Sequence, residues 1–126
     1  MPRIVIVEDE ILIGVFVQEV LRDAGFSVDF AADAKTCLSL FETAADAAVI
    51  DVGLPDLTGD QLTQQLRQAA PSLPIVLTTG YDHHHYEALF ASDQRIRILG
   101  KPFDAPQLVY ALHDLNVTAT AVSPAP

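Results

Sequence analysis

The chain reads as an α/β domain in which a parallel sheet is covered by helices on both faces. Three observations predict this. Five short strand-like runs recur: Ile4-Val5-Ile6-Val7, Phe26 to Ala31, Ala47-Ala48-Val49-Ile50, Ile75 to Thr79 and Ile96-Arg97-Ile98-Leu99. Short apolar runs bounded by turn residues are the pattern of strands buried on both faces. Helical stretches separate them, and strict alternation of strand and helix builds a doubly wound sheet. Finally, 126 residues, half of them apolar, suffice for one domain with a real core.

Each element has its own justification. The first strand ends in Glu8-Asp9-Glu10. From Ile11 to Ala24 the period is helical, with Ile13, Phe16, Val17, Val20, Leu21 and Ala24 on one stripe and Gly25 as the stop. Ile11, Leu12 and Val15 fall outside that stripe and form an expected apolar outer patch. Asp33 is placed to cap a helix running to about Glu42, with Ala34, Cys37, Leu38 and Phe41 inward. Thr58-Gly59-Asp60-Gln61 is a capping box for a third helix whose core residues are Leu62 and Leu66. Gly80 breaks the fourth strand, and Tyr81 to Ser92 reads as a loop with a short helix. Asp104-Ala105-Pro106-Gln107 is a second capping box, opening a helix with Leu108, Val109, Leu112 and Leu115 inward. The domain is expected over residues 1–115, with 116–126, rich in Thr, Ala, Ser and Pro, as a flexible tail or linker.

Charge and composition narrow the function. Seven Lys and Arg against 17 Asp and Glu give a net charge of −10, which argues against a direct nucleic-acid ligand. The lone Cys37 fits a reducing compartment and a small core residue. Met1-Pro2-Arg3 leads straight into a strand, and no apolar run approaches the roughly 18 residues of a membrane span. The expectation is a cytoplasmic protein with no membrane partner.

The sharpest feature is Asp51. It ends the buried run Ala47-Ala48-Val49-Ile50 and is followed by Val52-Gly53-Leu54-Pro55. A carboxylate there costs several kcal/mol unless something compensates it. In doubly wound sheets the ligand crevice lies outside the carboxyl ends of the strands. Glu8 and Asp9, Asp51, Thr79 and Lys101 end the first, third, fourth and fifth strands, so the topology gathers them in one crevice. Glu8, Asp9 and Asp51 together would raise one another's pKa unless a cation sits among them. Hard oxygen ligands suit Mg²⁺. A metal, the Lys101 ammonium and the Thr79 hydroxyl around a carboxylate match transfer of a phosphoryl group onto Asp51. Glu10 reads as a first-turn helix acid rather than a ligand. His83-His84-His85 cannot share one helical face and lacks zinc spacing, so a solvated loop is the expectation. Tyr81 reads either as a gate over the crevice or as a ring on the sheet edge.

These motifs resemble the receiver domains of two-component response regulators over residues 3 to about 115. They are Val7-Glu8-Asp9-Glu10, Asp51 to Asp56 with Gly59, Pro74 to Gly80, and Lys101-Pro102-Phe103. The resemblance implies a flavodoxin-like (βα)5 fold with strand order 2-1-3-4-5. It implies Mg²⁺-dependent phosphorylation of Asp51 by a phosphohistidine on a histidine kinase or phosphotransfer protein, followed by signalling to a partner. It makes Glu8 and Asp9 the acidic pair, the Gly53 carbonyl a metal ligand, Thr79 rather than Thr78 the switch hydroxyl, and the Lys101-Pro102 bond cis. It makes the Ile11, Leu12 and Val15 face the phosphodonor contact and the last strand and helix a possible homodimer face. Such a domain catalyses its own phosphorylation and slow dephosphorylation and is not a turnover enzyme.

Three departures stand out. Ile98 occupies a position often aromatic in the family. Gly53 occupies one often polar, which predicts unassisted, slow dephosphorylation. No output domain follows, so the chain is a stand-alone receiver or part of a longer protein. Ile98 leaves open a receiver-like interaction module that works without phosphorylation. An Asp-nucleophile phosphohydrolase would need a general acid where Gly53 stands, and a flavodoxin would not place acids beside a flavin phosphate.

Overall fold

A computed structural model of the chain describes residues 1–80 and 82–119. Its elements are β1 (Arg3–Val7), α1 (Ile11–Asp23), β2 (Ser27–Ala31), α2 (Ala34–Leu40), β3 (Ala47–Asp51), α3 (Gly59–Ala69), β4 (Ile75–Thr79), α4 (His83–Leu89), β5 (Ile96–Gly100) and α5 (Ala105–Asp114). The strands form one parallel sheet in the order β2-β1-β3-β4-β5. The fold class and strand order are those expected from the sequence.

Alternation along each strand divides the core in two. Val5, Val7, Ala48, Ile50, Ile75, Leu77 and Ile96 pack with α2 and α3 through Ala34, Cys37, Leu62 and Leu66. Ile4, Ile6, Ala47, Val49 and Val76 face α1 and α5 through Val17, Leu21, Leu108 and Leu112. The central strands β3 and β4 are buried throughout. Burial, and secondly the Asp33 charge, push the Cys37 thiol up to about 12. It is an unreactive core group, as expected.

Both capping boxes form, at Thr58/Gln61 and Asp104/Gln107, and Asp33 accepts from Thr36 N–H at 2.7 Å. The Gly25 backbone at φ 97° takes the left-handed turn that ends α1. The helix margins shift. The second helix stops at Leu40, short of Glu42, and Leu38, expected inward, is exposed, the inner side being taken by Ala34 and Cys37. Phe16, also placed on the inner stripe, is partly exposed. Gly14 takes the inner position instead, close against the Phe30 ring. The three histidines begin α4 rather than sit in a loop. Asn116 to Ala119 lie within the described residues, and Val117 is buried, its N–H donating to the Leu112 carbonyl. Packing therefore continues past the expected boundary at 115. The rest of the expected tail, 120–126, and Tyr81 lie outside the described residues.

Two long-range contacts fix the loop after β3. Gly59 N–H donates to the Val52 carbonyl at 2.8 Å. A Cβ on Gly59 would overlap the Asp51 carbonyl oxygen and stand 2.7 Å from the Val52 Cα. Asp56 reaches across 22 positions to accept from the Ala34 and Lys35 N–H groups at 2.9 and 3.1 Å. Those bonds, the Ala34 one foremost, hold its carboxyl below the usual range.

Gly59→Ala is expected to lose about 2–3 kcal/mol of stability in urea unfolding, the cost of overpacking against backbone. Asp56→Ala should destabilise at neutral pH. A lowered folded-state pKa contributes stability above the unfolded value near 3.8 and loses it as pH falls through the folded value. The stability gap between variant and native chain should therefore narrow in acid, and a gap that widens below pH of about 4 would contradict the assignment.

Candidate phosphoacceptor site

The parallel sheet carries each strand-end side chain to the same edge. Asp51 ends β3, whose neighbours are β1, followed directly by Glu8, and β4, ending at Thr79. Lys101 follows β5, and its N–H donates to the Thr79 carbonyl at 2.7 Å. The Lys101–Pro102 peptide is cis, as the resemblance implied. Asp51, Asp9, Glu10, Gly53, Thr79, Gly80 and Lys101, with Val52, line a cavity of about 250 Å³.

Within it the Lys101 ammonium stands 2.8 Å from Asp51 Oδ1, 3.1 Å from Glu8 Oε1 and 3.4 Å from Glu10 Oε1. Glu8 is anchored at its other end as well, since Oε2 accepts from the Glu10 N–H at 3.2 Å. Glu8 and Asp51 are buried, while Asp9 is exposed at the mouth. Burial raises the Glu8 carboxyl above its ordinary value, and the Asp51 charge adds to it; the Glu10 N–H and Lys101 oppose the rise. Burial alone would lower Lys101, but its hydrogen bonds to Asp51 and Glu8 and their charges win, and the ammonium is pushed up to about 12. Lys101 is therefore a fixed positive charge at neutral pH.

Glu8, Asp9 and Asp51 can each place one oxygen within 4.8 Å of the others. The donors are all hard carboxylate oxygens, and one lysine cannot neutralise three of them. That donor set fits a small divalent cation such as Mg²⁺. It is the one such convergent group of potential metal ligands among the described residues. The α4 histidines do not join it: His83 and His84 each pair with Glu87, at 3.0 and 3.2 Å.

Every strand-end residue singled out from the sequence thus meets at this edge. Thr79 lines the cavity, while the neighbouring Thr78 hydroxyl lies 3.5 Å from both Asp51 Oδ1 and the Ile50 carbonyl. Glu10, read as a helix acid, is the N-cap residue of α1 but caps nothing with its side chain; that carboxylate faces Lys101 instead. No local pattern could have shown this, because the partners are 91 positions apart.

The predicted outer patch is real. Ile11 and Leu12 are largely exposed and Val15 nearly half so. The same helix, α1, also presents Ile13 and Phe16, which the sequence placed on the inner stripe, to residues after β5. Phe16 and Phe103 lie with ring centroids 6.3 Å apart, and Ile13, Phe16, Lys101, Pro102 and Phe103 line an apolar hollow of about 260 Å³. A larger depression of about 640 Å³ runs along the β5 edge past Asp93, Arg95, Arg97 and Asp114, and contains none of the strand-end residues.

A buried aspartate beside a lysine and an acidic cluster, at the carboxyl edge of a five-stranded doubly wound sheet, defines a phosphoacceptor class of signalling domain. Residues 4–113 match the family described as response regulator receiver domain, and the chain belongs to that family. It is 34 % identical to the probable transcriptional regulatory protein SilR of Salmonella typhimurium, over 90 % of this chain and 50 % of that protein. It is 30 % identical to the virulence transcriptional regulatory protein PhoP of the same species, over 91 % of this chain and 52 % of PhoP. The chain spans about half the length of these curated relatives. Among solved structures, the chemotaxis response regulator CheY4 of Vibrio cholerae superposes with a TM-score of 0.82 at 27 % identity, covering 91 % of this chain and 98 % of CheY4. No described helix is long and apolar enough to cross a membrane.

Mg²⁺ at about 100 times its dissociation constant should stabilise the domain by about 2.7 kcal/mol. Asp9→Asn should abolish most of that gain in thermal unfolding while leaving the metal-free protein folded. Equal gains in both proteins would remove Asp9 from the cation site.

Proposed function

We propose that Asp51 accepts a phosphoryl group from a phosphohistidine and that the domain signals its occupancy to a partner. The observation that carries this is the Lys101 ammonium 2.8 Å from Asp51 Oδ1, at a buried strand end beside two further acids. The Asp51 carboxylate attacks phosphorus, the P–N bond breaks, and the histidine nitrogen leaves with the electron pair. Glu8, Asp9, Asp51 and the Gly53 carbonyl would hold Mg²⁺, which supplies charge neutralisation between Asp51 and the phosphoryl oxygens. Lys101 and Thr79 hold the oxygens of the transferred group. The domain modifies itself and is not a turnover enzyme.

Gly53 bears on the lifetime of the product. A Cβ there would stand 3.4 Å from Asp51 Oδ2, so any longer side chain at this position would reach the acceptor. Gly53 offers none, and water is not oriented from that direction. The phosphorylated state should last minutes or longer; decay within seconds would overturn this.

The donor is a histidine kinase or a histidine phosphotransfer protein, and the reading fits a cytoplasmic setting. We assign its contact to Ile11, Leu12 and Val15. That face shares α1 with the apolar hollow at Phe16 and Phe103, whose wall includes Lys101. A helical bundle seated there brings its histidine to the cavity.

Asp51→Asn should take no label from a small phosphodonor or from the kinase, and labelling at another residue would refute the acceptor assignment. Leu12→Glu with Val15→Glu should slow transfer from the cognate donor about tenfold, equivalent to about 1.4 kcal/mol. Labelling by a small donor should be unchanged in that variant. Unaltered kinase transfer would place the docking face elsewhere.

A further inference from the structure

The ammonium of Lys101 has three N–H donors. Three carboxylates surround it: Asp51 at 2.8 Å, Glu8 at 3.1 Å and Glu10 at 3.4 Å. To hold a phosphoryl oxygen it must release one of them. Asp51 remains, since the incoming group bonds to it. Glu8 is 3 % exposed, and removing its lysine would strand a buried charge. Glu10 is different. Its contact is the longest of the three, and its side chain is 63 % exposed, so water replaces Lys101 there at little cost. Glu10 also lines the cavity mouth.

Resting on the reading of Asp51 as phosphoacceptor, we propose that Glu10 is a positioning residue for Lys101. It holds the ammonium toward the mouth of the cavity until an incoming phosphoryl oxygen displaces it, and so sets how readily an anionic donor is accepted. Two effects act in the same direction. The carboxylate competes with the phosphoryl oxygen for one N–H of Lys101. It also adds a negative charge at the entrance that an anionic donor must pass, a repulsion that salt screens.

The fold does not need this side chain. Glu10 stands at the N-cap of α1, yet makes no side-chain cap bond there. What it gives the fold comes from its backbone: its carbonyl accepts from Gly14 N–H at 2.9 Å, and its own N–H holds Glu8. Those bonds survive a change of side chain.

The test compares the native chain with Glu10→Gln, which keeps shape and loses charge, and Glu10→Asp, which keeps charge. Labelling rates with acetyl phosphate and Mg²⁺, and titration with beryllofluoride and Mg²⁺, are measured at low salt and at 1 M salt. At low salt Glu10→Gln should accept phosphate about two- to fivefold faster, the range of an exposed ion pair. It should bind beryllofluoride tighter by a similar factor. The advantage should shrink in 1 M salt, where the screening length is about 3 Å. Glu10→Asp should lie nearer the native chain. A Gln variant no faster than the native chain at low salt, an advantage indifferent to salt, or an Asp variant that matches Gln would each overturn the proposal. A native chain that responds to neither reagent would instead defeat the phosphoacceptor reading itself.

Discussion

The contact between Lys101 and the carboxylates of Asp51 and Glu8 is what the rest of the structure serves. Two acids at the ends of adjacent buried strands repel each other and lose their hydration. The same strands that bury them make the core, so the acids cannot retreat without unravelling the sheet. A cation must come to them. The chain delivers it from the far side of the sheet, on the residue after β5, by way of β4. Strand order decides the outcome. With β3 between β1 and β4, and β5 next to β4, four strand ends converge on one cavity.

Around that centre the structure is held with uneven firmness. The floor is the apolar sheet, and α3 is pinned onto it by the close approach of Gly59 to Asp51 and Val52. Asp56 ties the same loop to the start of α2. The helix α4 has no such hold. It buries no residue completely, its N-cap residue Asp82 sits in the left-handed region at φ 53°, and it makes no side-chain cap bond. Partly buried Tyr86, with Phe90 at its C-cap, packs it against the core. The helix begins at His83, a short way along the chain from Thr79 and Gly80 at the cavity wall. A firm acceptor and a loosely seated neighbouring helix are the combination that lets local charge alter a remote surface.

Ile98 places this receiver somewhat apart, since an aliphatic side chain stands where an aromatic often does in the family. Ile98 packs on the same core cluster as Tyr86 and Phe90. β5 therefore presents aliphatic packing, not a ring, to the core cluster on which α4 rests. On the other side of the cavity, exposed apolar residues of α1 join Phe103 to form a surface continuous with Lys101. The α1 surface and α4 thus belong to opposite faces of the sheet.

The sequence by itself determined the sheet, its capping boxes and the strand-end residues of the site. It could do so because buried parallel strands write themselves as apolar runs, and because a charge at the end of such a run has no structural excuse. It also marked the α1 patch, as apolar residues in excess of one buried face. Tertiary structure alone decided the rest. That Gly14 sits against the Phe30 ring while Phe16 lies beside Phe103 depends on neighbours from other elements. That Asp56 caps a helix 22 positions upstream, and that Glu10 meets a lysine 91 positions downstream, depends on distance in space. Periodicity reports which side of an element faces the core; it carries no information about which polar groups from separate loops come to share one patch of solvent.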